Sequence, residues 1–245
     1  MPRTLGDNLT MKPETRARLE RASTASLATL LFKRGLRNQF IQDAPRLGGR
    51  GKLVGPVTTL RYIPAREDLN TLEVFRDPTH PQRHAVDTIP AGNVLVMDCR
   101  RDVRAASAGG ILATRLQVRG CAGLVTDGGL RDADDIAALD MPSYCARPSA
   151  PTNLTLHHAI DIVVPIGCGG VAVFPGDIAV GDGDGVIVLP AEMADEIAEE
   201  AAGMEEFEAF VQEEVRAGAS IIGLYPPNEE TRARFAARIA GRDDT

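Results

Sequence analysis

The chain has 245 residues, of which 44% are hydrophobic, 25% charged and only 4% aromatic, with no Trp. That length supports one large domain or two small ones, built on Ala, Val, Ile and Leu rather than on rings. A net charge of −7 counts against nucleic acid as a direct partner, because phosphate binding needs a concentrated basic surface. The nearest basic patch, Arg100, Arg101 and Arg104, reads as a solvated loop. No run approaches the ~20 apolar residues of a membrane helix, and the N-terminus lacks an apolar signal core. The cysteines (Cys99, Cys121, Cys145, Cys168) form no CxxC pair and no zinc-finger spacing. Buried free thiols in a reducing cytoplasm are therefore expected.

Residues 1–14 read as a leader. PETRARLERASTASLATLLFKRG carries apolar positions at helical spacing and predicts one helix from Pro13 to about Arg34, stopped at Gly35. Residues 36–50 look irregular. KLVGPVTTLRYI (52–63) predicts a strand with a glycine break, and the polar, Pro-rich segment 64–92 a short helix near 67–76. NVLVMDC (93–99) is a continuous apolar run and predicts a buried strand. A helix over 111–120, a strand over 122–129 running into a turn, a helix over 132–139 and a strand over 142–146 follow. The Gly-, Asp- and Pro-punctuated segment 161–190 predicts further strands without helices between them. A long acidic helix (191–218) and a short tail helix close the chain. Alternating buried strands and helices define an α/β class with a mixed sheet in one domain.

The densest signal is SAGGILATRLQVRGCAGLVTDGGLRD (107–132). Gly109-Gly110 opens a helix, and the first amides of a helix attract carboxylate or phosphate. Glycine there lets a ligand reach the backbone without a Cβ in the way. The second element, Asp127-Gly128-Gly129-Leu130-Arg131-Asp132, leaves a strand at its C-terminal end, where α/β folds place ligands. Arg131 offers a fixed cation to a developing anion, and Asp132 an oxygen donor for Mg²⁺ or Mn²⁺. The alternative is a plain Arg131–Asp132 salt bridge with Asp132 as helix N-cap. One helix and one strand separate the two elements, which puts successive strand ends side by side. A 2-oxo acid held by the amides near 110–112 would then face Arg131 and a cation on Asp132.

This segment, with PAGNVLVMD before it and PGDIAVGDGDGVIVLP after it, resembles the family shared by 4-hydroxy-4-methyl-2-oxoglutarate aldolases and the regulator of ribonuclease activity A. The resemblance covers roughly residues 15–205, with 206–245 as a C-terminal helical extension. It implies a compact layered sandwich of the swivelling β/β/α type, assembled as a trimer or a dimer of trimers. It further implies a lyase dependent on Mg²⁺, Mn²⁺ or another divalent cation. Such an enzyme cleaves 4-hydroxy-2-oxo acids to pyruvate or decarboxylates oxaloacetate. On this chain the resemblance assigns the substrate's oxo oxygen to Arg131, the metal to Asp132, and the pyruvyl carboxylate to the backbone at Gly109, Gly110, Ile111 and Leu112.

The aldolases resemble a pattern of Asp, twenty residues, then Arg-Asp; here the first position is Gly110. The regulator-like members show Gly there, then Arg-Asp, two residues and an acid, as in Gly110, Arg131, Asp132 and Asp135. Asp135 lies three residues beyond Asp132, on the same helical face, and is the candidate replacement for the missing proton acceptor. Two further readings stay open: a non-catalytic inhibitor docking on a ribonuclease E-type partner, and a dehydratase of sugar-acid-derived 2-oxo compounds. Elsewhere, His80 and His84 beside Pro81 read as surface residues in a polar loop. The adjacent His157 and His158 point apart, which weakens them as metal ligands. Asp177, Asp182 and Asp184 read as turn residues.

Overall fold

Helix α1 (Pro13–Leu19) and helix α2 (Thr24–Lys33) replace the single helix expected over 13–34. The break falls at Ser23, whose extended backbone and side chain cap the second helix by accepting from the Ser26 N–H at 3.0 Å. The computed structural model describes residues 11–243, so most of the expected leader lies outside the described residues. The segment expected to be irregular contains two short strands, β1 (Phe40–Ile41) and β2 (Arg46–Gly48). Strand β3 (Leu53–Pro64) runs unbroken through Gly55. There is no room for a side chain at Gly55: a Cβ there would lie 2.3 Å from the Gly92 carbonyl oxygen. A 3-10 turn (Leu72–Arg76) precedes helix α3 (Pro81–Thr88), an element that sequence patterning missed.

The middle of the chain alternates strand and helix. Strand β4 (Val94–Asp98) leads into the short β5 (Ala106–Ala108), then helix α4 (Gly110–Val118), strand β6 (Gly123–Leu130), helix α5 (Ala133–Ala137) and strand β7 (Ser143–Pro148). Strands β8 (His157–Ile162), β9 (Ile166–Cys168), β10 (Val171–Val173), β11 (Ile178–Gly181) and β12 (Val186–Leu189) follow, and then helices α6 (Ala194–Arg216) and α7 (Glu229–Asp243).

Among the described residues the main sheet runs β1-β12-β11-β3-β4-β6-β7-β2, with β5 beside β6 and β8 beside β3. Strands β3, β4, β6 and β7 are mutually parallel, and antiparallel strands flank them. The buried run of β4 follows from this layering. Leu95 and Met97 face a core completed by Ala113, Leu116 and Ile136 of α4 and α5, while Val94 and Val96 face the β9–β10 hairpin at Ile166, Cys168 and Val171. A strand covered on both faces has no polar side to show. A third cluster packs α1, α2 and the first half of α6 onto β11 and β12. The second half of α6 instead meets α7 through Phe207, Phe210 and Phe235. All four cysteines are buried free thiols, as expected.

Two corrections bear on the site. Gly128 and Gly129 do not form a turn; they lie within β6, where a Cβ would meet Cys99 Cβ at 2.6 Å and Ser149 Cβ at 2.6 Å respectively. Their role is close approach of neighbouring chain, not a change of direction. His80 is not on the surface either. It is 4% exposed, at the start of α3, with its ring 5.2 Å from that of Phe75 and 5.3 Å from that of His158.

His80 and His157 are both buried, and neither ring nitrogen of either has a hydrogen-bond partner among the described residues. Burial pushes both down to about 4; for His80 the nearby His158 and Arg83 add to the shift, and for His157 Arg100 does. The unfolded chain therefore takes up these protons first, near the ordinary value of about 6.5. Stability from this pair is full above about pH 6.5 and declines as the pH falls toward 4. Denaturant titrations at pH 7.5 and pH 4.5 should show the loss, and His80→Phe, which keeps the ring packing, should flatten part of it.

Candidate functional site

The site is assembled where β5 and β6 end side by side. Ala106 pairs with Gly129 and Ala108 with Leu130 in parallel register, and the Arg131 N–H donates to the Ala108 carbonyl at 3.1 Å. Sequence reasoning led β4 through a loop into the helix; the structure places β5 within that connection. The intervening loop is held by Asp127, a buried carboxylate of β6 that accepts from the backbone N–H groups of Cys99 (2.7 Å), Arg101 (3.2 Å) and Gly169 (3.2 Å). Burial raises the Asp127 carboxyl, while these bonds oppose the rise. Three donors on one carboxylate fix the route of the chain into β5, and hence the start of α4.

Helix α4 opens at Gly110 with Gly109 as an extended N-cap. Its first amides have no partner within the helix. The Gly110 N–H is taken by the Asp132 Oδ2 at 3.0 Å. No acceptor meets the N–H groups of Ile111 and Leu112 among the described residues. Ile111 is 85% exposed, and both residues line an open cleft.

Asp132 occupies the N-cap position of α5, in agreement with one sequence reading, yet its side chain does not cap that helix. Its backbone is left-handed (φ 57), a conformation Asp tolerates better than most residues. The twist turns the carboxylate back toward the start of α4. Arg131 Nε stands 3.6 Å from Asp132 Oδ2, with both side chains nearly half exposed (46% and 40%). This is a loose pair at a surface opening rather than a closed internal bridge. Asp132 Oδ1 carries no protein hydrogen bond among the described residues.

The paired glycines now have a specific reason. A Cβ at position 109 would sit 2.8 Å from both Arg131 Cγ and Asp132 Oδ2. One at position 110 would lie 3.2 Å from Asp132 Cβ and 3.5 Å from Asp135 Oδ2. Asp135, exposed on α5, thus places its carboxylate beside the spot a residue-110 side chain would enter. Gly110→Asp should accordingly crowd three carboxylates together and lower activity, whereas Gly110→Asp with Asp135→Ala should recover it; paired steady-state assays of the two variants check this.

Arg131 and Asp132 line a cleft of about 190 Å³ together with Gly109, Ile111 and Leu112. Pockets for drug-sized ligands run to roughly 300–1,000 Å³, so this cleft suits a smaller molecule. The structure thus brings together Gly109, Ile111, Leu112, Arg131 and Asp132, sets Gly110 and Asp135 beside them, and leaves His84, His157 and Asp177 out of the lining. Residues 106–108 of β5 also line it, and sequence reasoning missed two further parts of the wall: Phe75, Gln82 and Arg83 near α3, and Thr152 and Asn153 between β7 and β8. Phe75 lies in the helix expected near 67–76 but carried no functional sign, and the others come from segments with no periodic signal. No group of three or more His, Cys, Asp or Glu residues is placed to hold a metal among the described residues. Asp132 nonetheless fits a Mg²⁺-type ion. Such ions prefer oxygen ligands, use one or two carboxylates and keep several waters, and Oδ1 is open.

Ligands of α/β domains gather beyond the carboxyl ends of strands, and this mixed α/β domain sets an open helix start beside an Arg-Asp pair at two such ends. The chain is a member of the RraA-like family, whose Aldolase/RraA model matches residues 24–188. It is 30% identical over 155 residues to a Halalkalibacterium halodurans protein named "Putative 4-hydroxy-4-methyl-2-oxoglutarate aldolase", covering 63% of this chain and 68% of the other. A Thermus thermophilus protein of the same name is 32% identical over 143 residues, 58% of this chain and 79% of its own. Streptomyces coelicolor RraAS2, described as an unusual member of the RNase ES inhibitor RraA protein family, superposes with a TM-score of 0.73 at 28% identity. That match covers 82% of this chain and 97% of the other. No helix among the described residues is long and apolar enough to cross a membrane.

Proposed function

We propose that the protein is a divalent-cation-dependent lyase acting on a small 2-oxo acid through an enolate, by aldol cleavage of a 4-hydroxy-2-oxo acid or decarboxylation of oxaloacetate. The observation that carries this reading is the convergence on one cleft of the unpaired Ile111 and Leu112 amides, the Arg131 guanidinium and the open oxygen of Asp132. The substrate carboxylate docks on the two amides, where the partial positive charge of the helix start favours it. Its 2-oxo oxygen then lies toward Arg131.

Breaking the C3–C4 bond sends its electron pair into the pyruvyl fragment and puts negative charge on that oxygen. A guanidinium fixed beforehand stabilises this charge more in the transition state than in the ground state. In the aldol case the 4-hydroxyl loses its proton as C4 becomes a carbonyl, and Asp135 is the nearby carboxylate suited to accept it. The enolate then takes a proton at C3 and leaves as pyruvate. A divalent ion held by Asp132 would supply Lewis-acid polarisation of the oxo group. Relatives bearing the aldolase name support the lyase reading, and the expected trimer or dimer of trimers is checked by light scattering.

Following pyruvate release from oxaloacetate and from a panel of 4-hydroxy-2-oxo acids tests the proposal. Turnover that appears with Mg²⁺ or Mn²⁺ and disappears with EDTA is expected; no release from any of them would sink it. Gly110 favours a second reading, a regulator that docks on a ribonuclease E-type partner, and similarity to RraAS2 fits it. That reading predicts inhibition of such a ribonuclease undiminished in Arg131→Ala. A dehydratase of sugar-acid-derived 2-oxo acids would use the same Arg131 and Asp132 and would release water in place of a carbonyl fragment.

A further inference from the structure

Resting on the lyase reading, we propose that Arg83 and Asn153 form a second polar subsite in the same cleft, which recognises an anionic group at the end of the substrate remote from its 2-oxo acid. Asn153 lines the cleft at 3% exposure. Its Oδ1 accepts from the Thr152 hydroxyl at 3.2 Å, but its Nδ2 has no acceptor. A buried amide N–H₂ without a partner is unusual in a folded protein, and here the space beside the residue is the cleft. An acceptor brought in by the ligand would satisfy it.

Arg83, half-buried on α3, points to the same chemistry. Its guanidinium stacks over the Phe75 ring at 4.6 Å, and it forms no ion pair among the described residues. Stacking fixes the plane of an arginine while leaving its edge N–H groups free for a carboxylate. Its neighbour Gln82 is already committed, donating to the Ser107 carbonyl at 2.6 Å and to the Tyr62 hydroxyl at 3.1 Å. The cleft therefore holds two cations, Arg83 and Arg131, against the single carboxylate of Asp132. Arg131 meets the charge that develops on the 2-oxo oxygen, so a monocarboxylate held by the amides would leave Arg83 without an anion. A 2-oxo dicarboxylate matches both.

Three probes separate this proposal from the one it rests on: oxalate, 2-oxoglutarate, and 2-oxopentanoate, which has the same chain length without the second carboxylate. Each is titrated by calorimetry in Mg²⁺. The wild type should bind 2-oxoglutarate about tenfold or more tightly than 2-oxopentanoate, the worth of one hydrogen-bonded charge contact. Arg83→Gln and Asn153→Ala should lose that preference while binding oxalate unchanged, which also shows that they fold. Asn153→Asp should reverse it by repelling the distal charge. No preference in the wild type, a preference that survives both substitutions, or a parallel fall in oxalate affinity would overturn the subsite. Failure of all three probes to bind the wild type would overturn the lyase reading itself, and the subsite with it.

Discussion

Replacing Arg131 with Ala should lower turnover of a cleavable 2-oxo acid by about a thousandfold, the upper end of what one donor to a developing oxyanion contributes. Stability should barely move. The side chain is nearly half exposed and its one polar contact among the described residues is the loose 3.6 Å approach to Asp132; surface changes of this kind stay within about 0.5 kcal/mol. Arg131→Lys should recover only part of the loss, because a point charge does not reproduce the planar fork. Single-turnover rates beside thermal melts make the comparison. A large drop in melting temperature would mean that Arg131 holds the fold rather than the substrate.

The second large effect is at Asp132. Asn keeps a side-chain oxygen for the Gly110 N–H and is also at ease in the left-handed conformation, so Asp132→Asn should retain the local structure. What it loses is the charge. Activity should fall at least about a hundredfold and cease to respond to EDTA, while stability stays within about 1 kcal/mol of wild type. Asp132→Ala removes the oxygen and the tolerance together and should cost more stability at the same activity. Activity of Asp132→Asn that matches wild type in Mg²⁺ would remove the cation from that carboxylate.

The parts of this site legible in sequence were those written in consecutive residues. Gly109-Gly110 before an apolar helix and Arg131-Asp132 after an apolar strand announce backbone and charge placed at two element ends. The parallel pairing of β5 with β6 then realises the side-by-side geometry. The glycines of 128–129 misled because a Gly pair reads equally as turn or as close approach; only Cys99 and Ser149 packed against them decide. Asp127 gave no local sign that its carboxylate would bind three distant amides. Arg83 and Asn153 reach the cleft from segments far away in the chain, one a short helix hidden in a Pro-rich stretch, the other a single 3-10 turn. Their relevance is created by tertiary folding alone. In the same way, Ser23 split a helix that apolar spacing drew as continuous, since a side-chain cap outweighs periodicity over so short a span.

The most direct measurement is calorimetric titration of oxalate, a mimic of the pyruvate enolate, into the wild type with Mg²⁺, into the wild type with EDTA, and into Arg131→Ala with Mg²⁺. Saturable binding in the first experiment, lost or weakened at least about tenfold in the other two, is the predicted result. Equal binding in all three, or none in the first, would contradict it.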